Sequence, residues 1–188
     1  KVESGYDSTT VSVVETEYAP CACSPLGKVK RVSMPYDPAA VPLVKHWTEY
    51  EYDARGRTTK ITPPGGAGFT QYVYEGNTVK VIEPVVTRWK KFTLDARGRL
   101  VKVTEPRPNG GGATDDTNYQ YNALDKLTQV SMTRGATTQI RSFVFDSEMR
   151  LQSVTQPENG TTSYTYDGLS RMATRTDAKG QRAEYSYD

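Results

Sequence analysis

Large apolar side chains recur along this chain at alternate positions and then stop at an acidic residue or its amide. Tyr50 and Tyr52 precede Asp53, Tyr72 and Tyr74 precede Glu75, and Phe92 and Leu94 precede Asp95. The pattern continues with Tyr119 and Tyr121 before Asn122, and with Phe143 and Phe145 before Asp146. Tyr164 and Tyr166 then precede Asp167, and Tyr185 and Tyr187 precede Asp188. A period of two puts both members of each pair on one face of a strand, and Tyr and Phe favour that conformation. No helical period of comparable strength runs along the chain. The anchors at 53, 75, 95, 122, 146, 167 and 188 are separated by steps of 22, 20, 27, 24, 21 and 21. Self-similarity at such a spacing marks a repeat architecture.

Each unit reads as a hairpin. The anchor Asp opens a tight turn, its side chain accepting hydrogen bonds from amides one or two residues on. In "DARGR", at Asp53 and again at Asp95, Gly56 and Gly98 stand three residues later, where a turn running into a bulge needs a left-handed residue. Arg57 and Arg99 begin the returning strands "RTTKIT" and "RLVKVT", which Pro63 and Pro106 stop. Asp125, Met149 and Ser170 occupy the glycine place in later copies. There the turn either holds a left-handed residue at a cost of roughly 1 kcal/mol or takes another geometry. A degenerate early copy is expected at Ser24, with Gly27, Lys28 and Val29 in phase. The segments "PPGGAG", "PRPNGGGATDD", "TRGAT", "PENG" and "DAKG" read as looser connections at the other end of each hairpin.

One hairpin is marginal in water, so successive hairpins are expected side by side, with aromatics of neighbouring copies meeting across strands. The fold class is therefore all-β: tandem hairpins in a long curved antiparallel sheet of roughly fourteen strands. Residues 1–20 form an N-terminal strand segment, in which "STTVSVVETEY" reads as one more strand, and residues 21–188 form the array.

Composition fits this picture. Hydrophobic residues make up 36% of 188, low for a compact globule, while 13 Tyr is high, so apolar area is spread over much strand. The net charge of +2 comes from 24 basic and 22 acidic residues interspersed along the chain. That argues against a nucleic-acid footprint, which would gather Lys and Arg on one face. No apolar run approaches the about 20 residues of a membrane span. Lys1 opens no signal peptide, and the chain reads as an excised fragment. Cys21 and Cys23 form a C-x-C pair whose disulfide would be strained, and the single His46 does not complete a zinc site with them.

Candidate chemistry is sparse. The anchor Asp recurs at equivalent turns, whereas a catalytic carboxylate pair would be singular, so no enzyme activity is expected. His46 has no nucleophile elbow for a partner, and "GGGATDD" lacks the Gly-Lys-Ser/Thr ending of a phosphate loop. Asn159-Gly160 reads as a turn. No cofactor or metal is expected. For sugar contact the best-placed rings are Trp47 and Trp89, since a flat ring covers an apolar sugar face while its polar tip stays wet.

The motifs "YEYDARGR", "FTLDARGRL" and "YTYDGLSRM" resemble the YD repeat of bacterial Rhs proteins, which also occurs in the B and C components of insecticidal toxin complexes and in teneurins. The resemblance extends from Cys21 to Asp188. It implies a wall segment of a hollow β-shell in a large secreted or surface-exposed protein, enclosing a C-terminal toxin domain. The implied partners are the rest of that shell and the toxin. The alternative it implies is a carbohydrate or cell-surface binding module. Open sheet edges also invite self-association.

Overall fold

The computed structural model describes residues 2–5, 11–21, 24–66, 68–85 and 88–188. Two compact units, Lys1–Lys90 and Lys91–Asp188, are taken in turn. The first begins with β1 (Val2–Gly5) and β2 (Val11–Val14), which pair with each other as a two-stranded sheet. Next come β3 (Thr16–Cys21), β4 (Ser24–Ser33), β5 (Trp47–Tyr52), β6 (Thr58–Thr62), β7 (Thr70–Glu75) and β8 (Thr78–Ile82), each hydrogen-bonded antiparallel to its successor. Of the strand expected over "STTVSVVETEY", residues 8–10 lie outside the described residues, and the rest is divided at Glu15. The physical cause is side-chain chemistry: Glu15 accepts from the Tyr36 hydroxyl at 2.6 Å and from Lys45 at 2.8 Å, while its carbonyl takes the Ser33 amide. Val13, fully buried, bridges to Tyr36 beside it. Cys21 ends β3, and Cys23 lies outside the described residues.

Leading into and through the second unit are β9 (Trp89–Leu94), β10 (Leu100–Pro106), β11 (Thr114–Tyr121), β12 (Leu127–Arg134), β13 (Thr137–Phe145), β14 (Leu151–Gln156), β15 (Gly160–Tyr166), β16 (Met172–Thr176) and β17 (Arg182–Glu184). They too pair antiparallel in chain order. The protein is all-β, with fifteen strands from β3 to β17 where about fourteen were expected.

Register shows why the repeats read as they do. In the Asp53, Asp95, Asn122, Asp146 and Asp167 copies, the residue before the anchor pairs with the fifth after it: Tyr52 with Thr58, Leu94 with Leu100, Tyr121 with Leu127, Phe145 with Leu151, Tyr166 with Met172. The sixth residue after the anchor is then skipped as a bulge, at Thr59, Val101, Thr128, Gln152 and Ala173. Beyond the bulge, the earlier aromatic meets an aliphatic partner in the first four, Tyr50 with Ile61, Phe92 with Val103, Tyr119 with Val130 and Phe143 with Val154, and an arginine in the fifth, Tyr164 with Arg175. Between copies the registered partners on this face are Val103 with Thr117, Val130 with Arg141 and Val154 with Thr162, so the rings of neighbouring copies, expected to meet, do not pair directly. The extra bulge residue restores the phase that the turn would otherwise shift by one, which would flip every side chain to the other face.

In the second unit this phase separates the faces. Phe92, Val103, Tyr119, Val130, Met132, Phe143, Val154 and Tyr164 occupy one set of registers, and Gln129, Ser131, Thr133, Ser142, Ser153, Thr155, Ser163, Thr165 and Thr174 occupy the alternate set. The core is thin: among the described residues, the buried hydrophobics are Val13 and Val103.

Several connections are tighter than their composition suggests. Glu75 does not open the five-residue turn of the other anchors; it pairs with Thr78 across Gly76 and Asn77 alone. Arg134 pairs with Thr137 across Gly135 and Ala136. The acidic end of "PRPNGGGATDD" is strand, and Asp115 is nine-tenths or more buried there. "DAKG", expected as a loose loop, is a further copy of the anchored turn. At Ser24 the expected turn is absent: Cys21 pairs with Ser24 and the chain runs on as β4. Gly27 sits at a bulge, φ +76°, where a Cβ would lie 2.6 Å from the Ala19 carbonyl oxygen.

At Gly98, φ is +80° and space around the missing Cβ is open, so its requirement is conformational alone. Gly98→Val is expected to destabilise the protein by about 1 kcal/mol or more, because a β-branched residue is strained at positive φ. Urea unfolding reads this out, and an unchanged midpoint would place the turn elsewhere.

Candidate functional site: the anchored turn and the next tyrosine

The recurring cluster is built from the turn upward. In the Asp53 copy the Gly56 amide donates to the Asp53 carbonyl and the Asp53 amide to the Arg57 carbonyl, each at 2.9 Å. Asp53 Oδ1 accepts from the amides of Arg55 and Arg57, both at 2.9 Å. Oδ2 accepts Arg57 Nε at 2.7 Å and pairs with Nη2 at 2.7 Å. The donating amides are thus two and four residues beyond the aspartate, not one or two. The turn recurs at Asp95 with Arg97 and Arg99, at Asp146 with Glu148 and Arg150, and at Asp167 with Leu169 and Arg171. Asn122 takes the same two amides at 3.0 Å but has Lys126 where the others have arginine. Asp177 takes the amides of Lys179 and Gln181 at 2.9 Å and has no arginine at all in that place.

The clamped arginine then meets the next copy. The guanidinium of Arg57 lies over the Tyr74 ring at 4.1 Å, Arg99 over Tyr121 at 4.8 Å, Arg150 over Tyr166 at 4.7 Å and Arg171 over Tyr187 at 4.7 Å. Such stacking is favourable because the ring face is electron-rich. Each of these tyrosines also donates its hydroxyl to the carbonyl just past that arginine: Tyr74 to Thr58 at 2.9 Å, Tyr121 to Leu100, Tyr166 to Leu151 and Tyr187 to Met172 at 2.8 Å. Tyr52 does the same to Val29 at 2.8 Å, with Lys28 at 5.8 Å over its ring. The Ser24 copy has lost its turn but kept this receiving end.

In three of the anchored turns the left-handed position holds a side chain rather than glycine: Asp125, Met149 and Ser170, each at φ 62°. Two of them receive the arginine of the preceding turn. Arg99 Nη1 bonds Asp125 Oδ1 at 2.6 Å, and Arg150 Nη1 bonds Ser170 Oγ at 3.1 Å. Arg97 joins Asp125 at 2.6 Å as well. These contacts offset the backbone strain. Nothing in the structure explains Met149.

The same bonds set the electrostatics. The Arg57 amide is the main influence holding Asp53 below the usual carboxylate range, with partial burial opposing, and the Arg171 amide acts likewise on Asp167. At Asp95 and Asp146 partial burial is the largest single influence and pushes upward. The amides and guanidinia of Arg99 and Arg150 together outweigh it, so both carboxyls are also lowered. At the other end of the hairpins, Asp115 is lowered chiefly by Arg107, which pairs with it at 2.8 Å, and it also accepts Arg134 and the Gly135 amide.

Of the two tryptophans, Trp47 is half-buried under the guanidinium of Arg31 at 4.2 Å, and Trp89 is half-buried under the ammonium of Lys80 at 4.4 Å. His46 is exposed just before β5. Missed in the sequence were the clamping role of the arginines, the Asp177 turn, the Asp115 cluster and the cations over the tryptophans. The first two were signalled by the spacings Asp-x-x-x-Arg and Asp-x-x-Gly.

Residues 150–182 match the RHS Repeat family model. No curated protein matches the chain. The fold is similar to the crystal structure of TcdB2-TccC3-TEV, with a TM-score of 0.75 and 16% identity over 95% of this chain and 10% of that one. It is also similar to the Photorhabdus luminescens Tc holotoxin pore carrying a TccC3 mutation, with a TM-score of 0.73 and 16% identity over 95% and 10%. A third similarity is to TcdB2-TccC3 without its hypervariable C-terminal region, with a TM-score of 0.60 and 18% identity over 92% and 9%. This chain spans about a tenth of the length of those structures.

Tyr166→Phe keeps the ring and removes the bond to the Leu151 carbonyl, so a loss of about 1 kcal/mol is expected in chemical denaturation. No change would mean that the hydroxyl adds nothing to the contact between copies. The lowered aspartates also fix the pH response. Because their folded-state pKa values lie below the unfolded value of about 3.9, their contribution is fully present above that pH. It is lost as pH falls through the folded values. Stability should therefore be flat from neutrality to about pH 5 and decline below it. Melting temperatures across that range check this, and a maximum near about pH 3 would contradict the clamp.

Proposed function

We propose that this array of Rhs repeats is a non-catalytic wall segment of a larger secreted β-shell, which encloses a C-terminal toxin domain. One observation carries the reading: the groups with apparent chemical potential are engaged with one another. The anchor carboxylates at Asp53, Asp95, Asp146 and Asp167 are filled by two amides and an arginine, and each arginine is covered by the tyrosine of the next copy. A general acid or base needs a proton it can exchange with a substrate, and a carboxylate held low by internal donors is poorly suited to that. What the cluster does well is bind one hairpin to its neighbour.

A glycan platform at Trp47 or Trp89 is less favoured, because a cation already covers a face of each ring. Enclosure also suits a sheet with one aromatic and one hydroxyl-bearing face, since the two sides of a wall meet different surroundings. The test is limited proteolysis of the full-length protein that contains this segment. Asp95→Ala with Asp146→Ala should open the wall and expose a C-terminal region that is protected in the unmodified protein. Equal protection in both would overturn the enclosure reading.

A further inference from the structure

Two of the five asparagines are followed by glycine, Asn109-Gly110 and Asn159-Gly160, and both stand exposed in connections between strands. An asparagine side chain is open to attack by the backbone nitrogen of the residue after it, because the reacting atoms are already joined and the encounter is intramolecular. A glycine in that place puts no Cβ in the way. By sequence the two pairs are equivalent. The structure separates them.

At residue 159 both reacting groups are held. The Asn159 side-chain amide donates to Gln156 Oε1 at 3.0 Å, and Gly160 begins β15 paired with Gln156, where a Cβ would lie 2.6 Å from that of Ala178. At residue 109 the side chain is loose. Among the described residues it has no hydrogen-bond partner. The Asn109 backbone is left-handed, φ 59°, in a turn that the Gly110 amide closes on the Arg107 carbonyl at 3.1 Å. Gly111 and Gly112 follow, with no atom within 4 Å of the missing Cβ of either. Opening that one turn bond frees the attacking nitrogen, whereas at Gly160 the chain must first leave the sheet. Glycine is also required at 110, since a Cβ there would lie 2.8 Å from that of Arg107. The turn that permits the reaction is thus one that needs the reactive pair.

We infer that Asn109 is a site of spontaneous deamidation, with water as the co-reactant, and that the fold protects Asn159 from the same reaction. The Gly110 nitrogen, its proton lost to solvent, attacks Asn109 Cγ. A C–N bond closes a five-membered succinimide as the Cγ–Nδ2 bond breaks, and ammonia leaves with a proton taken from water. Water then opens the ring at either carbonyl, giving aspartate or isoaspartate, with nothing oxidised or reduced. Either product adds a negative charge to the connection at residues 107–113, and isoaspartate also lengthens the backbone by one methylene within the turn. The Arg107 amide on the Ala113 carbonyl and the pairing of Pro106 with Thr114 lie outside that turn and keep β10 and β11 together. The inference is independent of the wall reading, which rests on the turns at the other end of the hairpins.

The test is peptide mapping by mass spectrometry on the folded protein kept near neutral pH and body temperature, beside a sample unfolded in guanidinium chloride at the same pH. Sampling continues until both Asn-Gly peptides of the unfolded chain have converted from amide to acid, which sets the rate free of structure. In the folded protein Asn109 should convert at least about tenfold faster than Asn159, the difference between opening one turn bond and opening the sheet. The product should separate into two species of equal mass, aspartate and isoaspartate. Asn109→Gln, whose longer side chain closes a ring less readily, should abolish the mass change in that peptide and leave the Asn159 peptide as before. Asn109 remaining intact in the folded protein while the unfolded chain converts would overturn the inference. Equal folded-state rates at the two sites would overturn it as well, and so would a mass change that persists in Asn109→Gln.

Discussion

A two-stranded hairpin has no interior, so whatever holds this protein together must act between hairpins, and the tyrosine that ends one copy is where that happens. Its ring lies on an arginine of the preceding copy and its hydroxyl reaches a carbonyl of the same turn, as for Tyr121 on Arg99 and Leu100. The stacking needs an arginine held in place, and the aspartate does that with one oxygen while its other oxygen closes the turn. Turn closure, arginine placement and contact between copies are thus one linked arrangement. An exposed Asp–Arg pair alone contributes little. Here the pair's value lies in presenting a flat cation to the next ring.

This linkage explains which substitutions the copies tolerate. Where arginine is replaced by Lys126, the anchor is the neutral Asn122, and the next copy offers Phe145, which has no hydroxyl to place. The three changes occur together because each removes the use of the others. Asp125 and Ser170 in the glycine place have a comparable logic, since each accepts the arginine of the turn before it. A left-handed conformation, which glycine adopts freely, costs a side chain something. Here the side chain gains a partner in the adjoining turn.

Much of the fold was legible in the sequence because the pattern that encodes it is local. Alternating rings followed by Asp specify a strand and then a turn within five residues, and both hold at Asp53, Asp95, Asp146 and Asp167. Glu75 misled because its alternation is intact while the turn beneath it is shorter: with Gly76 directly after it, two residues suffice to reverse the chain. Cross-strand partners were less legible. The bulge at the sixth residue after the anchor decides that Phe143 meets Val154, and nothing in the residue types there announces a skipped position. The Asp115 cluster was hidden for another reason. Its members Arg107, Arg134 and Gly135 come from different connections, and only strand register brings them together.

The two ends of the hairpins therefore carry different constraints. At the anchored end, turn length is fixed wherever an aspartate clamps an arginine, because a residue more or less would move the arginine away from the next tyrosine; the Glu75 turn, which has no such arginine, is shorter. At the other end connections run from two residues at Gly135 and Ala136 to thirteen at residues 34–46, and the neighbouring strands still pair. Freedom of length at one end and rigidity at the other let the array vary its surface without loosening its joints. Asp177 is an anchored turn formed at the variable end. It closes with the same two amides but has Gln181 in place of arginine, so it offers no guanidinium to a ring. The aspartate makes the bend; the arginine and the next tyrosine make the array.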